Sequence, residues 1–245
     1  MPQNHSIAPA KSGCLRCTLR EHCIPQGIAY DELAKFDGLA VTHRKIRRDE
    51  CLFKAGDKCD TLYVVRLGSF KTTVSTQTGA EQVLGFFMAG DTLGLDGIAG
   101  ETHAVNAVAL EDTEVCVIPY ANVLALETQE PEYLRHVQRL LSREVVREHG
   151  VALVLGSLAA EERIAAFLLN LSQRFEARGY SKSEFVLRMT RATIGSYLGL
   201  KLETVSRVFS RFAADGIITV NQKHIQILDF AALRAIVSGK KRPSP

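Results

Sequence analysis

Along the first 28 residues the apolar positions follow neither an alternating period nor one of three to four, so the stretch reads as a loop organised by something other than a core. From about Glu50 to Pro119 the pattern changes to short β-rich runs, such as Thr61-Leu-Tyr-Val-Val-Arg-Leu67 and Thr113-Glu-Val-Cys-Val-Ile118. Gly56, Gly68, Gly79 and Gly90 punctuate this region at intervals of eleven or twelve. Regular turn signals between short strands predict an antiparallel roll or barrel.

After Pro131 the spacing becomes helical, and Leu134, Gln138, Leu141, Val145, Glu148, Ala152 and Leu155 alternate by four and three. That is the spacing of a coiled-coil seam with two polar interruptions. A single amphipathic helix packed on its own β-roll gives the same count over three heptads. Val137, Leu140 and Val151 lie off the stripe and can pack inward, which leaves Leu141, Val145, Glu148, Ala152 and Leu155 for a second copy of the chain.

A further helical region opens at Ala160-Glu-Glu-Arg163 and puts Ile164, Phe167, Leu168 and Leu171 on one face. Phe185 to Met189 is a short strand candidate, followed by helices over Arg191–Leu198 and Glu203–Ala213 with a break at Gly199-Leu200. Ile217–Val220 and Ile225–Leu228 then pair through Asn221-Gln-Lys-His224. Helix, short glycine turn, helix and hairpin is the order of a winged helix-turn-helix. The fold class is therefore α+β. Its expected segments are a cysteine-rich stretch over 1–28, a β-roll over 29–130, a dimerisation helix over 131–157 and a winged helix-turn-helix over 158–245.

Charge sharpens this division. Residues 1–157 hold 16 Lys/Arg against 20 Asp/Glu, whereas residues 158–245 hold 14 against 7. The basic excess lies where a helix-turn-helix would meet phosphates, although a solvated basic face has the same composition. No apolar run approaches the about 20 residues that span a bilayer, and the first residues are polar where a signal peptide is apolar. We expect a cytoplasmic protein with no membrane partner.

In a helix-turn-helix the second helix sets its N-terminal turns on base edges. Glu203, Ser206 and Arg207 recur at spacings of three and four and share a face, while Val205, Val208 and Phe212 form an inward one. Arg donates two bonds to guanine, Glu accepts one from cytosine, and a Ser hydroxyl contacts base or phosphate. A Glu/Arg pair four apart also forms solvated ion pairs; the flanking turn, hairpin and basic charge favour DNA reading.

Six cysteines in a reducing compartment point away from structural disulfides. Cys14, Cys17 and Cys23 form a C-x2-C-x5-C array, and Cys51, Cys59 and Cys116 are dispersed. Four thiolates suit either a tetrahedral zinc or an iron–sulfur cluster. Zinc sites usually draw a second close-spaced pair, which an isolated Cys116 does not provide.

The chain resembles the FNR branch of the CRP/FNR superfamily over almost its whole length. The resemblance is carried by the Cys14/Cys17/Cys23 array, Cys116 within Glu114–Pro119, Ala160–Phe167, and Ile194–Leu200 leading into Glu203-Thr-Val-Ser-Arg207. It implies that Cys14, Cys17, Cys23 and Cys116 ligate an oxygen-labile [4Fe-4S] cluster, that the cluster-bearing chain forms a homodimer, and that oxygen converts the cluster and releases the dimer. It also implies a cyclic-nucleotide-binding-like β-roll, contacts from Glu203, Ser206 and Arg207 to TTGAT-type half-sites in double-stranded promoter DNA, and RNA polymerase as a partner.

Leu202 stands where cAMP-binding relatives carry a base-reading Arg. Leu95 and His103-Ala104 stand where those relatives hold ribose and phosphate. Without the cation a buried phosphate lacks its partner, so no cyclic nucleotide is expected. Cys51 and Cys59 match no family ligand and read as ordinary thiols. An enzyme with an open iron is the rival of another class, but no acid, base or nucleophile constellation accompanies the cysteines.

Overall fold

The computed structural model describes residues 17–19, 42–75, 79, 81–129 and 131–239, and within these the chain divides into two compact units. The first comprises residues 1–78 and 84–143, the second residues 79–83 and 144–245.

Among the described residues the turn-punctuated runs form eight strands: β1 (Thr42–Ile46), β2 (Cys51–Phe53), β3 (Thr61–Leu67), β4 (Ser69–Ser75), β5 (Glu81–Met88), β6 (Thr92–Leu93), β7 (Asn106–Ala109) and β8 (Thr113–Pro119). They build two four-stranded sheets, ordered β1-β8-β3-β6 and β2-β7-β4-β5. Gly68 holds φ +84° in the tight β3–β4 connection, and a Cβ there would lie 2.5 Å from the Thr113 side chain, so only glycine fits. Between the sheets sits a core of Ile46, Leu52, Phe53, Val65, Phe70, Phe87, Leu93 and Val115. This is the antiparallel roll that the sequence predicts.

Period-two alternation decides what each face of β8 does. Val115 points into the roll, whereas Cys116 and Ile118 join a second apolar cluster with Leu62, Val64 and Val123. Val123 comes from α1 (Tyr120–Gln129). Val137 and Leu140 come from α2 (Pro131–Ser157), the long helix, whose observed bounds are those read from the sequence. Among the described residues no helix is long and apolar enough to cross a membrane.

The second unit contains α3 (Ala160–Glu176), β9 (Glu184–Val186), α4 (Arg191–Leu198), α5 (Leu202–Ala214), β10 (Ile218–Asn221), β11 (His224–Ile227) and α6 (Phe230–Val237). Thr190 caps α4 by accepting a bond from the Thr193 amide. Gly199 ends it at φ +64°, a left-handed cap. The hairpin is paired as expected, one residue out of step with the sequence reading, and β9 adds a third strand to its β11 edge. Ile164, Leu168, Ile194, Leu198, Phe212, Ile217 and Ile225 are fully buried.

Candidate functional site

The turn between α4 and α5 is tight for a local reason. The Leu200 amide donates to the Gly195 carbonyl at 2.8 Å, and a Cβ on Gly195 would stand 2.5 Å from the Leu200 oxygen. Any side chain at 195 would force this turn open. On α5, Val205, Val208, Phe209 and Phe212 are buried. Glu203 and Arg207 are exposed and Ser206 is half-buried, so all three lie off the packed face. Arg191, the first residue of α4, lays its guanidinium 3.4 Å above the Phe209 ring. Burial there lowers its pKa from the usual arginine value.

A second device holds α4 in place. The half-buried Arg163 of α3 donates from Nε to the Leu158 carbonyl at 2.8 Å, from one Nη to the Leu155 carbonyl at 2.8 Å and from the other to the Leu198 carbonyl at 3.0 Å. Leu155 lies in the last turn of α2, and Leu198 ends α4. One guanidinium thus caps the carbonyl ends of two helices, where its charge also suits both dipoles.

In the first unit, Cys116 faces His43 across the β1 ladder and Val64 across the β3 ladder. Beside it on the same face of β8, Glu114 bonds the Arg66 guanidinium and stands 3.3 Å from His43 Nδ1. The Glu114 carboxylate holds the Arg66 pKa above its ordinary value, against desolvation that lowers it. Glu114, Cys116 and Cys17 add their charge in the same upward direction. The thiols of Cys17 and Cys116 therefore share the electrostatic neighbourhood of one cation. Both are half-buried and free of disulfides. Cys14 and Cys23 lie outside the described residues, and among the described ones no three His, Cys, Asp or Glu side chains converge. Two thiols around a guanidinium that can offset thiolate charge fit the donor chemistry of an anionic iron–sulfur centre.

The remaining two thiols are differently placed. Cys51 Sγ donates to the Phe53 carbonyl at 2.9 Å, and the buried Cys59 donates to Gly94 at 3.2 Å. Burial pushes both thiols up from their usual pKa, which disfavours thiolate.

Along α2, Val137 and Leu140 are packed on the roll, whereas Leu134, Leu141 and Val145 are exposed. Gln138, Glu148 and Ala152 are also exposed; Leu155 and Val151 are half-buried. The Glu148 carboxylate stands 3.6 Å from Arg147, which also bonds Glu144. Val146 and Leu153 are 66% and 65% exposed, which widens the apolar stripe beyond the heptad positions.

Comparison with known proteins matches residues 43–130 to the cyclic nucleotide-binding domain and residues 162–236 to the Crp-like helix-turn-helix domain. The chain is 42% identical to the transcriptional regulatory protein btr of Bordetella pertussis, covering 97% of this chain and 98% of the relative. This chain belongs to the CRP/FNR family. Other members are the transcriptional activator protein anr of Pseudomonas aeruginosa, 40% identical over 98% of this chain and 95% of its own length, and the fumarate and nitrate reduction regulatory protein of Vibrio cholerae, 41% identical over 93% and 91%. The structure of FixK2 from Bradyrhizobium japonicum superposes with a TM-score of 0.75 at 26% identity, covering 83% of this chain and 98% of that one. These relatives are transcription regulators, not enzymes, and the family's helix-turn-helix binds DNA. Sequence reasoning missed Arg163, Arg66 and Arg191, whose partners are respectively main-chain carbonyls, the Glu114 carboxylate and the Phe209 ring, none of which a spacing pattern marks.

Proposed function

We propose that this chain is an oxygen-responsive transcription regulator of the cytoplasm in which Cys14, Cys17, Cys23 and Cys116 hold a [4Fe-4S] cluster. Two copies associate along Leu141, Val145, Glu148, Ala152 and Leu155 when the cluster is intact. The dimer binds palindromic TTGAT-type sites in promoter DNA and acts with RNA polymerase to control anaerobic gene expression. When bound, the cluster would supply an oxygen-labile centre at these four cysteines.

The observation that carries this reading is the position of Cys116. Its side chain belongs to the apolar cluster that also contains Val137 and Leu140 of α2, so a change at the thiol acts directly on the helix whose adjoining face exposes Leu134, Leu141 and Val145. Arg66, held by Glu114, places a positive charge in the electrostatic neighbourhood of Cys17 and Cys116. On α5, Arg207 supplies the fork for guanine, Glu203 the acceptor for cytosine, and Ser206 a further hydroxyl. Leu202, 46% exposed at the helix start, supplies no hydrogen-bonding group, which fits a half-site different from that of the cAMP-binding relatives.

Anaerobic purification with iron and sulfide analysis tests the cofactor. Alanine at each of Cys14, Cys17, Cys23 and Cys116 is expected to abolish iron retention after reconstitution, while Cys51→Ala and Cys59→Ala retain it. Full iron and sulfide in Cys116→Ala would overturn the ligand set. Zinc without sulfide in the parent would replace the cluster by a structural metal.

A further inference from the structure

The second unit contains a cleft of about 640 Å³ between the start of α3, the end of α5 and the last turns of α6. Phe212 and Ile217 close its floor, and the half-buried Ala160, Ala235 and Ile236 leave apolar surface within it. Its rim is charged. Glu161, Glu162 and Asp215 stand there with one cation, Arg211, which bonds Glu161. These are three of the 7 carboxylates that residues 158–245 hold, in a segment with 14 bases. Glu162 Oε2 accepts the Ala159 amide at 2.7 Å, and Oε1 lies 4.0 Å from the position of a Cβ on Gly239.

Gly239 is where the chain leaves α6, and it also lines the cleft. It holds φ +65° and its amide donates to the Ile236 carbonyl at 3.0 Å, so the chain turns away from the helix axis there instead of running on. The segment that follows, Lys240-Lys-Arg-Pro-Ser-Pro245, lies outside the described residues. It opens with three cations where the rim offers three carboxylates. Six residues reach about 20 Å when extended, enough to cross the cleft. Pro243 and Pro245 add apolar rings and no backbone donor that a groove would have to satisfy. We propose that this cleft is the docking site of residues 240–245 of the same chain, with Lys240, Lys241 and Arg242 against Glu161, Glu162 and Asp215 and the proline rings over Ala160, Ala235 and Ile236. Exposed ion pairs of this kind are individually weak. Attachment through Gly239 compensates, because it holds the segment at an effective concentration on the order of millimolar. Docking keeps three cations of the DNA-binding unit on its own acidic cleft and off the phosphates.

Hydrogen exchange in the full-length chain tests this at the far wall of the cleft. There the Asp215, Gly216 and Ile217 amides bond the Arg211, Ala213 and Phe212 carbonyls, remote in sequence from the segment. Ending the chain at Gly239 is expected to speed exchange of these amides at least about threefold at low salt. At about 1 M sodium chloride, where charges are screened within about 3 Å, the difference should largely vanish. The combined variant Lys240→Ser, Lys241→Ser, Arg242→Ser keeps the length of the chain and should reproduce the low-salt change. Carbodiimide coupling of a mixture of isotopically labelled and unlabelled chain is expected to join Lys241 to Asp215 within one chain. The salt slope of binding to a random-sequence duplex is expected to be the same with and without the segment. The proposal is overturned if exchange at Asp215–Ile217 does not depend on the segment, or if coupling joins only labelled to unlabelled chains, which would make a second copy the occupant. It is equally overturned if removing the segment lowers the salt slope by about two or three per chain, which would place the three cations on DNA phosphates.

Discussion

Replacing Arg163 by Ala removes three charge-assisted hydrogen bonds at 2.8, 2.8 and 3.0 Å and leaves the carbonyls of Leu155, Leu158 and Leu198 without that donor. A hydrogen bond to a charged group contributes about 1.5–3 kcal/mol net in a protected setting. The site is half-buried, so water replaces part of each bond, and favourable charge at two helix C-termini adds about 0.3–1 kcal/mol per helix. The expected loss is about 2–4 kcal/mol for the second unit, well below the simple sum. Hydrogen exchange of the α3 and α4 amides in the full-length chain reads this locally. Because the guanidinium ties the end of α2 to the end of α4, DNA affinity is expected to fall at least about tenfold. Arg163→Lys keeps the charge but not the fork and should recover less than half of the loss. Unaltered α4 exchange in Arg163→Ala would refute the capping argument. Full recovery with Lys would assign the effect to the helix dipoles rather than to the three directed bonds.

Arg207→Ala is expected to cost about 1–3 kcal/mol of discrimination at one base pair per half-site, whereas Lys201→Ala lowers affinity for all sequences and the salt slope by about one; binding to single-base operator variants separates the two, and uniform weakening by Arg207→Ala would make it a phosphate contact. Gly195→Ala drives a Cβ to 2.5 Å from the Leu200 carbonyl, so it should destabilise the helix-turn-helix by about 1–3 kcal/mol and abolish specific binding while the roll keeps its exchange protection. Glu148→Ala is expected to dimerise in air, without a cluster, more readily than the parent, because two copies of this carboxylate would meet across a parallel seam and its half-exposed pairing with Arg147 contributes under about 1 kcal/mol. Equal monomer–dimer constants for the two apo proteins in sedimentation would move the electrostatic switch elsewhere.

Much of the architecture was legible because local patterns and tertiary packing agree. The long helix opens at a proline and runs to the predicted Ser157, and the inward face of α5 contains the three predicted apolar residues. Phe209 completes the i, i+3, i+4, i+7 stripe of that face with Val205, Val208 and Phe212, so its burial was legible in the spacing although the stacked Arg191 was not. The exposed Val146 and Leu153 escaped a heptad count for a geometric reason. Each directly follows a seam position, Val145 or Ala152, and so lies about 100° further round the helix, outside the positions that a four-and-three count selects. Arg163 was illegible in another way, since its partners are main-chain carbonyls and any residue supplies those.

Cys116 shows how family resemblance and strand alternation give different information about one residue. The resemblance to the FNR branch makes it a candidate ligand, whereas period two on β8 decides what that residue touches. Val115 faces the inner core with Val65 and Phe70, while Cys116 and Ile118 face the cluster completed by Val123, Val137 and Leu140. Repacking the inner core would be costly, because buried side chains there are close-packed and volume changes are resisted. A displacement at Cys116 does not need that route. It meets the two inward residues of α2 directly, one helical turn from the exposed Leu134 and Leu141, and can rotate or shift the helix while the roll beneath stays intact.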